Sequence, residues 1–400
     1  MDGLQDFRMK RIKKAMGDAG ADILVATMPS NLSYLTGGYV SVMQSAIQHA
    51  ECAVGYVPEE DALFYVAGYS ELPTVFEFAG LSAEVYVSGG RFCFEKEEAC
   101  KDGFAERVMT YQKQAYETTA EAWAAAVKAH GKTGAVVAVD EGRIFPSLLD
   151  AVKKELPEYR FAGGNPIFKE ARRIKHPDEV MGIRKAAVTA SEALMEMLSR
   201  FRPGMTEYEM YREYNLELTR RGAIPCYGVI TAGKRAAYSD TVSDRTRNIL
   251  SGDVVRFDFG CFLDGYCSDL ARTAYVGEPD EKTALYYQAV REGCLAAAEK
   301  MRPGVLCGDI FETAVETVRS AGIPHYRRHH CGHGIGLEMY DLYSIAPGSE
   351  DVVEEQMTFC VETPYYELGW GGVQLEHTLV VTKDGYEYLD KTEDGLILIG

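Results

Sequence analysis

The sequence lacks the features that would place a chain in or across a membrane. No apolar run approaches the roughly 18 residues of a membrane-spanning helix, and the start of the chain has no apolar signal core. The ten cysteines include no pair with CxxC spacing, which is typical of free thiols in a reducing compartment. We therefore expect a cytoplasmic protein without membrane contact, whose cysteines are small buried apolar side chains.

Positive charge is also scarce in this chain. Its 42 Lys and Arg residues are outnumbered by 60 Asp and Glu residues, and the formal net charge is −18. This excess of acid disfavours binding to a nucleic-acid backbone or to an anionic membrane surface. It remains compatible with a cationic or zwitterionic substrate, so we expect a small peptide or small molecule as the partner.

The hydrophobic pattern divides the 400 residues into two parts. The first part alternates predicted strands and helices, which favours an α/β domain with a mostly parallel or mixed sheet. The second part contains two predicted helix-turn-helix units, at 180–221 and 281–321, which suggests a duplicated unit. We predict domains at 1–165 and 166–400. The predicted elements of the first part are a helix at 4–19, strands at 21–27, 52–57, 61–67 and 83–88, and a helix at 103–130.

Two aspartates occupy an apolar strand and its return strand. Asp258 lies within the strand-like run 253–260, and Asp269 follows it by eleven residues. Gly260 and Gly265 predict a hairpin between them, so the two carboxylates can face each other. Facing carboxylates repel unless a cation lies between them. Taken alone, the pair is equally compatible with an exposed strand acid and a turn acid.

A histidine and two glutamates extend this pattern. Four of the eight histidines fall within 325–333, and His333 stands among glycines. Glu362 ends an apolar strand-like run, and Glu376 stands inside another. Each glutamate alone fits a solvent-facing strand position. Together, four carboxylates and one imidazole suit two divalent ions that share bridging carboxylates. A pair of such ions can activate a water and polarise a carbonyl oxygen.

These motifs resemble the pita-bread superfamily of methionine aminopeptidase, Xaa-Pro aminopeptidase, prolidase and creatinase. The match covers about 165–400. The first half is similar to the smaller N-terminal domain of the Xaa-Pro peptidase and creatinase branch, notably at 29–37. The resemblance implies an α+β protein: a pita-bread C-terminal catalytic domain with a smaller α/β creatinase-like N-terminal domain. The motifs that carry it are the aspartate pair, Gly332-His333-Gly334-Ile335-Gly336, Val361-Glu362 and Glu376-His377-Thr378.

The resemblance also implies roles for these residues. Asp258 would hold one ion, His333 and Glu362 the other, and Asp269 and Glu376 would bridge both. Glu362 would also handle the proton of the metal-bound hydroxide. The two divalent ions are expected to be manganese, with zinc, cobalt and iron left open. Homodimers are common in this branch, so we expect a homodimer.

Three positions depart from the peptidases of this superfamily. Asp240 and Tyr340 stand where catalytic histidines are usual, and Gln374 stands where an arginine is common. His329 matches the histidine that the Xaa-Pro branch places four residues before the metal histidine. If Asp240 and Tyr340 line the site, Asp240 could pair with a substrate cation and Tyr340 could donate to an oxyanion. Both could instead be ordinary surface residues.

The sequence thus predicts a dinuclear-metal hydrolase that cleaves a peptide or amide C–N bond, of the Xaa-Pro peptidase type. One alternative is a small-molecule enzyme on the same scaffold, resembling ectoine hydrolase or, less closely, a dimethylsulfoniopropionate lyase. The other alternative is a non-catalytic binding protein. The intact ligand set disfavours that, because buried polar groups are costly to keep without a use.

Overall fold

The computed structural model describes residues 3–39, 52–89, 101–341 and 343–400. It divides into two compact units, Met1–Arg172 and Arg173–Gly400. The predicted boundary between residues 165 and 166 lies at the start of helix Asn165–Arg173.

The described part of the first unit is built on a six-stranded mixed sheet. Its strands are β1 (Ile23–Ala26), β2 (Ala53–Val57), β3 (Ala62–Gly68), β4 (Glu84–Ser88), β5 (Val136–Val139) and β6 (Arg160–Gly163). The strand order is β4-β3-β2-β1-β5-β6. β2 pairs antiparallel with both of its neighbours, whereas the remaining pairs are parallel. This confirms the predicted α/β character and mixed sheet.

Seven α-helices of this unit lie within the residues that the structure describes. They are α1 (Gly3–Ala19), α2 (Pro29–Thr36), α3 (Leu72–Ala79), α4 (Gly103–Gln114), α5 (Thr119–His130), α6 (Pro146–Glu155) and α7 (Asn165–Arg173). The prediction of one helix over 103–130 is wrong, because a capping box starts a new helix at Thr119. The Glu121 amide donates to the Thr118 hydroxyl at 3.2 Å, and the Thr118 amide donates to the Glu121 carboxylate at 3.0 Å.

The second unit is a curled, largely antiparallel sheet with two pairs of helices. Its strands are β7 (Ile224–Ala232), β8 (Val254–Leu263), β9 (Tyr266–Cys267), β10 (Leu270–Val276), β11 (Gly332–Gly334), β12 (Thr358–Glu362), β13 (Tyr365–Glu367), β14 (Gly371–Val373), β15 (Glu376–Val381), β16 (Tyr386–Tyr388) and β17 (Ile397–Ile399). The main order is β11-β12-β15-β10-β8-β7. The helices are α8 (Pro177–Ser199), α9 (Glu207–Arg220), α10 (Glu281–Lys300) and α11 (Cys307–Ser320). The predicted α+β pita-bread class is confirmed.

The two helix pairs are built alike, as the repeated pattern predicts. The turn after the first helix of each pair contains a glycine with positive φ, 96° at Gly204 and 90° at Gly304. The Gly204 amide donates to the carbonyl oxygen of Ile249 at 2.8 Å, and the Gly304 amide donates to that of Val353 at 2.9 Å. Each pair buries its own hydrophobic cluster against the sheet. This correspondence supports a duplicated structural unit.

A tight hairpin sets the register of the strands that carry the aspartates. β8 and β9 are joined by Asp264 and Gly265, whose φ angles are 51° and 86°. Positive φ at both central residues matches a two-residue hairpin turn, for which Asp-Gly is a favoured pair. The chain then returns antiparallel to β8 along β10, with Ala271 opposite Asp258. The hairpin predicted from Gly260 and Gly265 is confirmed.

No helix in the described residues is long and apolar enough to cross a membrane. The eight described cysteines are free thiols, and all but the partly buried Cys226 are buried. Cys93 and Cys100 lie outside the described residues.

Candidate metal centre

Three of the predicted acidic ligands form a single row across the sheet of the second unit. Glu362 on β12 lies opposite Glu376 on β15, and Glu376 lies opposite Ala271 on β10. Ala271 in turn lies opposite Asp258 on β8. Because directly opposed residues project from the same face of a sheet, the three carboxylates share one face. Glu376 is the first residue of β15 rather than an interior one.

The other two predicted ligands join the same face. Asp269 precedes Ala271 by two residues, so the alternation of side chains places it beside the row. His333 on β11 lies opposite Cys360, which precedes Glu362 by two residues. The His333 Nε2 atom lies 3.4 Å from Asp269 Oδ2. The structure therefore brings all five residues together.

Glycine at position 332 allows the approach of β11 to β12. Its φ is 138°, and a Cβ atom there would lie 2.1 Å from the carbonyl oxygen of Cys360. Real Cβ atoms do not approach a backbone oxygen so closely, and residues other than glycine rarely adopt this φ angle. Gly332 thus lets the preceding loop deliver His333 to the carboxylates.

Burial and mutual repulsion dominate the electrostatics of the cluster. Burial raises the pKa of Glu362 to about 7, with Arg328 opposing the rise and Asp258 adding to it. Burial and then the charge of Asp269 raise the pKa of Glu376 well above its usual range. The pKa of Asp258 is raised by the same two causes. Carboxylates in this position need a cation if they are to stay charged together at neutral pH.

The polar atoms of the cluster fit divalent cations. Glu376 Oε1 is buried without a hydrogen-bond partner among the described residues. The Tyr227 hydroxyl, which has one proton, lies 2.5 Å from Asp258 Oδ1 and also contacts Asp269 Oδ1. Oxygen-rich donors with one imidazole suit divalent ions that accept both ligand types.

A cysteine completes one tight group of donor atoms within this cluster. Donor atoms of Asp269, His333, Cys360 and Glu376 all lie within 4.8 Å of one another. Burial raises the pKa of the Cys360 thiol well above its usual range, and the Sγ atom lies 3.5 Å from the carbonyl oxygen of Asp269. Cys360 therefore fits a neutral neighbour of the carboxylates better than a thiolate ligand.

An arginine stands beside the carboxylates although Gln374 occupies the position where the superfamily often has one. Arg256 Nη1 donates to Gln374 Oε1 at 2.9 Å and to Asp258 Oδ2 at 3.2 Å. Gln374 Nε2 donates to Asp258 Oδ2 at 3.1 Å. Arg256 precedes Asp258 by two residues on β8 and is fully buried. The guanidinium thus comes from a different strand.

Tyr340 borders the cluster. Its ring stacks on that of His333, with the centroids 3.9 Å apart and an interplanar angle of 25°. The side chain is 59% exposed. Burial, and then the charges of the cluster carboxylates beginning with Asp269, raise the pKa of Tyr340. Its position at the solvent side of the carboxylates suits contact with a substrate.

His329 and Asp240 lie toward the solvent, outside the buried carboxylate cluster. Both are exposed, and the charge of Asp240 acts on the pKa of His329, which burial and Arg328 lower. His330 of the same loop contacts the glutamate side chain, with its Nδ1 atom 3.1 Å from Glu362 Oε1. The segment before Asp240 is held by Arg256, which donates to the carbonyl oxygen of Ser239 at 2.7 Å.

Four residues of the site were absent from the sequence prediction: Tyr227, Arg256, Arg328 and His330. Arg256 carried a usable signal, because a charged residue in a buried strand two positions before Asp258 must share its face. Tyr227 did not. It shares the face of Asp258 because Val229, two residues later, lies opposite that aspartate, and the sequence alone does not indicate which strands pair.

The fold and this cluster define an α+β protein of the pita-bread class with a creatinase-like N-terminal domain. Residues 181–383 match the sequence profile of metallopeptidase family M24, and residues 8–174 match the creatinase/prolidase N-terminal domain. The chain belongs to metallopeptidase family M24, and the superfamily resemblance is thereby confirmed.

The chain is also similar to individual Xaa-Pro dipeptidases. The chain is 31% identical to the Xaa-Pro dipeptidase of Pyrococcus furiosus over 259 residues, which is 64% of this chain and 74% of the relative. It is 28% identical to the Xaa-Pro dipeptidase of Lactobacillus helveticus over 365 residues, 89% of this chain and 98% of the relative. The structure resembles that of an Xaa-Pro dipeptidase from Bacillus anthracis, with a TM-score of 0.82, 24% identity, and coverage of 99% and 100% of the two chains. At that identity the last likeness concerns the fold alone.

Proposed function

We propose that this protein is a dinuclear metal-dependent peptidase that hydrolyses dipeptides of the Xaa-Pro type. The observation that carries the proposal is the convergence of four carboxylates and one imidazole on one face of the sheet. The relatives named above are Xaa-Pro dipeptidases, which supports this substrate class. The domains responsible would be 1–165 and the catalytic 166–400.

The five clustered residues are the ligands in this proposal. Asp258 would hold one ion, His333 and Glu362 the other, and Asp269 and Glu376 both. Divalent ions held by these residues would supply a Lewis acid that activates water and polarises a carbonyl oxygen. Manganese is the ion we expect, because four of the five ligands are carboxylates, which suit this ion.

The surrounding side chains supply proton transfer and positioning. The Glu362 carboxylate, in one row with Asp258 and Glu376, would accept a proton from the attacking water and return it to the leaving nitrogen. The Tyr340 hydroxyl, above His333, would donate a hydrogen bond to the oxyanion. Asp240 and His329, at the exposed end of the site, would contact the ends of the substrate.

A panel of substrates tests this proposal. The protein, loaded with Mn²⁺, is assayed against Xaa-Pro dipeptides, dipeptides without proline and cyclic amidines. We expect hydrolysis of the Xaa-Pro dipeptides and loss of that activity in Glu362→Gln. Turnover of no dipeptide at all would refute the peptidase assignment.

The altered outer positions favour one alternative. Asp240 is an exposed carboxylate where these peptidases usually have a histidine, and a carboxylate attracts amidinium or ammonium groups. A small-molecule amidase on the same scaffold would use it to bind a cationic substrate. Hydrolysis of the cyclic amidines without hydrolysis of dipeptides would favour this alternative.

A further inference from the structure

Arg328 lies beside the carboxylate cluster, in the loop that leads to β11. Its side chain is only 10% exposed, and its Nη2 atom lies 3.8 Å from Glu362 Oε2. The guanidinium lies near the ring of Tyr366, 5.7 Å from its centroid. Its Nε donates to the carbonyl oxygen of His330 at 3.3 Å. The side chain is therefore held in place at the edge of the proposed site.

The terminal nitrogens of Arg328 have no hydrogen-bond acceptor among the described residues, since the distance to Glu362 exceeds hydrogen-bond length. The two other buried arginines near the cluster differ in this respect. Each nitrogen of Arg256 donates to at least one acceptor. The same holds for Arg272, which pairs with Asp390 at 2.7 Å. A guanidinium has five N–H donors, and two of them can bind the two oxygens of a carboxylate at once.

The charge balance of the proposed site points the same way. Two divalent ions would neutralise the four carboxylates, Glu362 among them. Arg328 would then keep its charge in a largely buried place without a counter-ion, which is unfavourable. An anionic group on the substrate would restore the balance and occupy the open donors.

We propose that Arg328 binds a carboxylate of the substrate. The neighbouring ring of Tyr366 would help to hold the guanidinium in place. The protein would then act on amides that carry a free carboxylate, as dipeptides do, and would discriminate against C-terminal amides. This inference rests on the proposed function, and it assigns the carboxylate contact to a residue that none of the sequence motifs marks.

The kinetic test compares one dipeptide as the free acid and as its C-terminal amide, both with Mn²⁺-loaded protein. We expect Arg328→Gln to raise KM for the acid about 10- to 100-fold and to change KM for the amide less than about twofold. Arg327→Gln, at the exposed neighbouring position, is the matched control and should behave as wild type. If Arg328 only positioned Glu362, kcat would fall equally for both substrates and the KM ratio would stay unchanged, which would overturn the inference.

A binding test is independent of turnover. Titration calorimetry with L-proline and L-prolinamide should show that the Mn²⁺-loaded wild type prefers the acid and that Arg328→Gln has lost this preference. Equal affinity of the wild type for both probes would overturn the inference. Failure to hydrolyse any dipeptide, combined with an Arg328-dependent preference for the acid, would refute the peptidase proposal and leave the carboxylate site standing.

Discussion

At the scale of single residues, the same side-chain type takes different roles according to its surroundings. Glu217, at the end of α9, is paired with three arginines, and their hydrogen bonds lower its pKa to about 2 despite burial. Glu362 has one distant arginine and several carboxylate neighbours, and its pKa is raised to about 7. The first carboxylate is an ion-pair acceptor that stays charged, whereas the second is easier to protonate because it is buried among like charges.

Tyr340 provides a residue-scale prediction. Its hydroxyl would act on charge that develops only in the transition state, so Tyr340→Phe should lower kcat about 100-fold with little change in KM. Steady-state kinetics with an Xaa-Pro dipeptide measures this. Tyr238→Phe, at another exposed tyrosine, is the control. Unchanged kcat in Tyr340→Phe would exclude the proposed role.

Asp240 provides a second prediction at this scale. If its carboxylate pairs with a substrate cation, Asp240→Asn should raise KM about three- to tenfold for substrates with a free amine. N-acetylated substrates, which lack that charge, should be unaffected. The comparison of the two substrate types in wild type and variant decides the matter, and identical KM shifts for both would argue against an ion pair.

At the scale of secondary structure, strand pairing explains why distant residues meet. Asp258, Glu362 and Glu376 belong to three strands, and their common row follows from the registers of β8, β10, β15 and β12. The sequence indicates which strands carry acids, because a charge in an apolar run is conspicuous. It does not indicate strand order, which depends on long-range pairing. The position of Tyr227 beside Asp258 and that of Arg328 near Glu362 were for this reason not predictable.

Local signals were more informative for the helices. A capping box of Thr206 and Glu209 marks the start of α9. The equivalent signal at Thr118 and Glu121 was overlooked, and the predicted helix at 103–130 proved to be two helices. Both cases depend on the same short-range hydrogen bonds, so this error could have been avoided from sequence alone.

Gly332 gives a prediction at the scale of the β11–β12 pair. Gly332→Ala would place a Cβ atom 2.1 Å from the Cys360 carbonyl oxygen, so the variant should lose about 3 kcal/mol in the free energy of unfolding. It should also bind metal more weakly, because His333 shifts with the strand. Gly385→Ala, where an added Cβ meets no atom within 4 Å, is the control. Equal denaturation midpoints for the two variants would contradict the account.

At the scale of the whole molecule, the fold gathers carboxylates whose like charges repel, and either protonation or a bound cation relieves that repulsion. The α+β class, the hairpin and the convergence of five distant residues agree with what the motifs indicated. In our proposal, the specificity of the site depends on Asp240, Arg328 and Tyr340, positions at which this chain differs from the superfamily pattern or for which that pattern specifies no residue.

The stabilisation of the protein by metal should depend on pH. Glu362 has a folded-state pKa of about 7 against an ordinary value of 4.5. Its burial therefore stabilises the protonated form, and its contribution to folding is lost as pH rises from 4.5 through about 7. A bound ion replaces the proton, so the Tm increase caused by Mn²⁺ should be larger at about pH 8 than at about pH 6. Thermal unfolding with and without Mn²⁺ measures this, and an equal Tm increase at both pH values would contradict it.

The central claim is that the clustered side chains hold two divalent ions. Elemental analysis of protein loaded with Mn²⁺ and freed of excess metal by dialysis tests it most directly. The account predicts two ions per chain in the wild type and a loss of bound metal in Glu376→Gln. A wild-type protein that retains no stoichiometric metal, whichever of manganese, zinc, cobalt or iron is supplied, would contradict it.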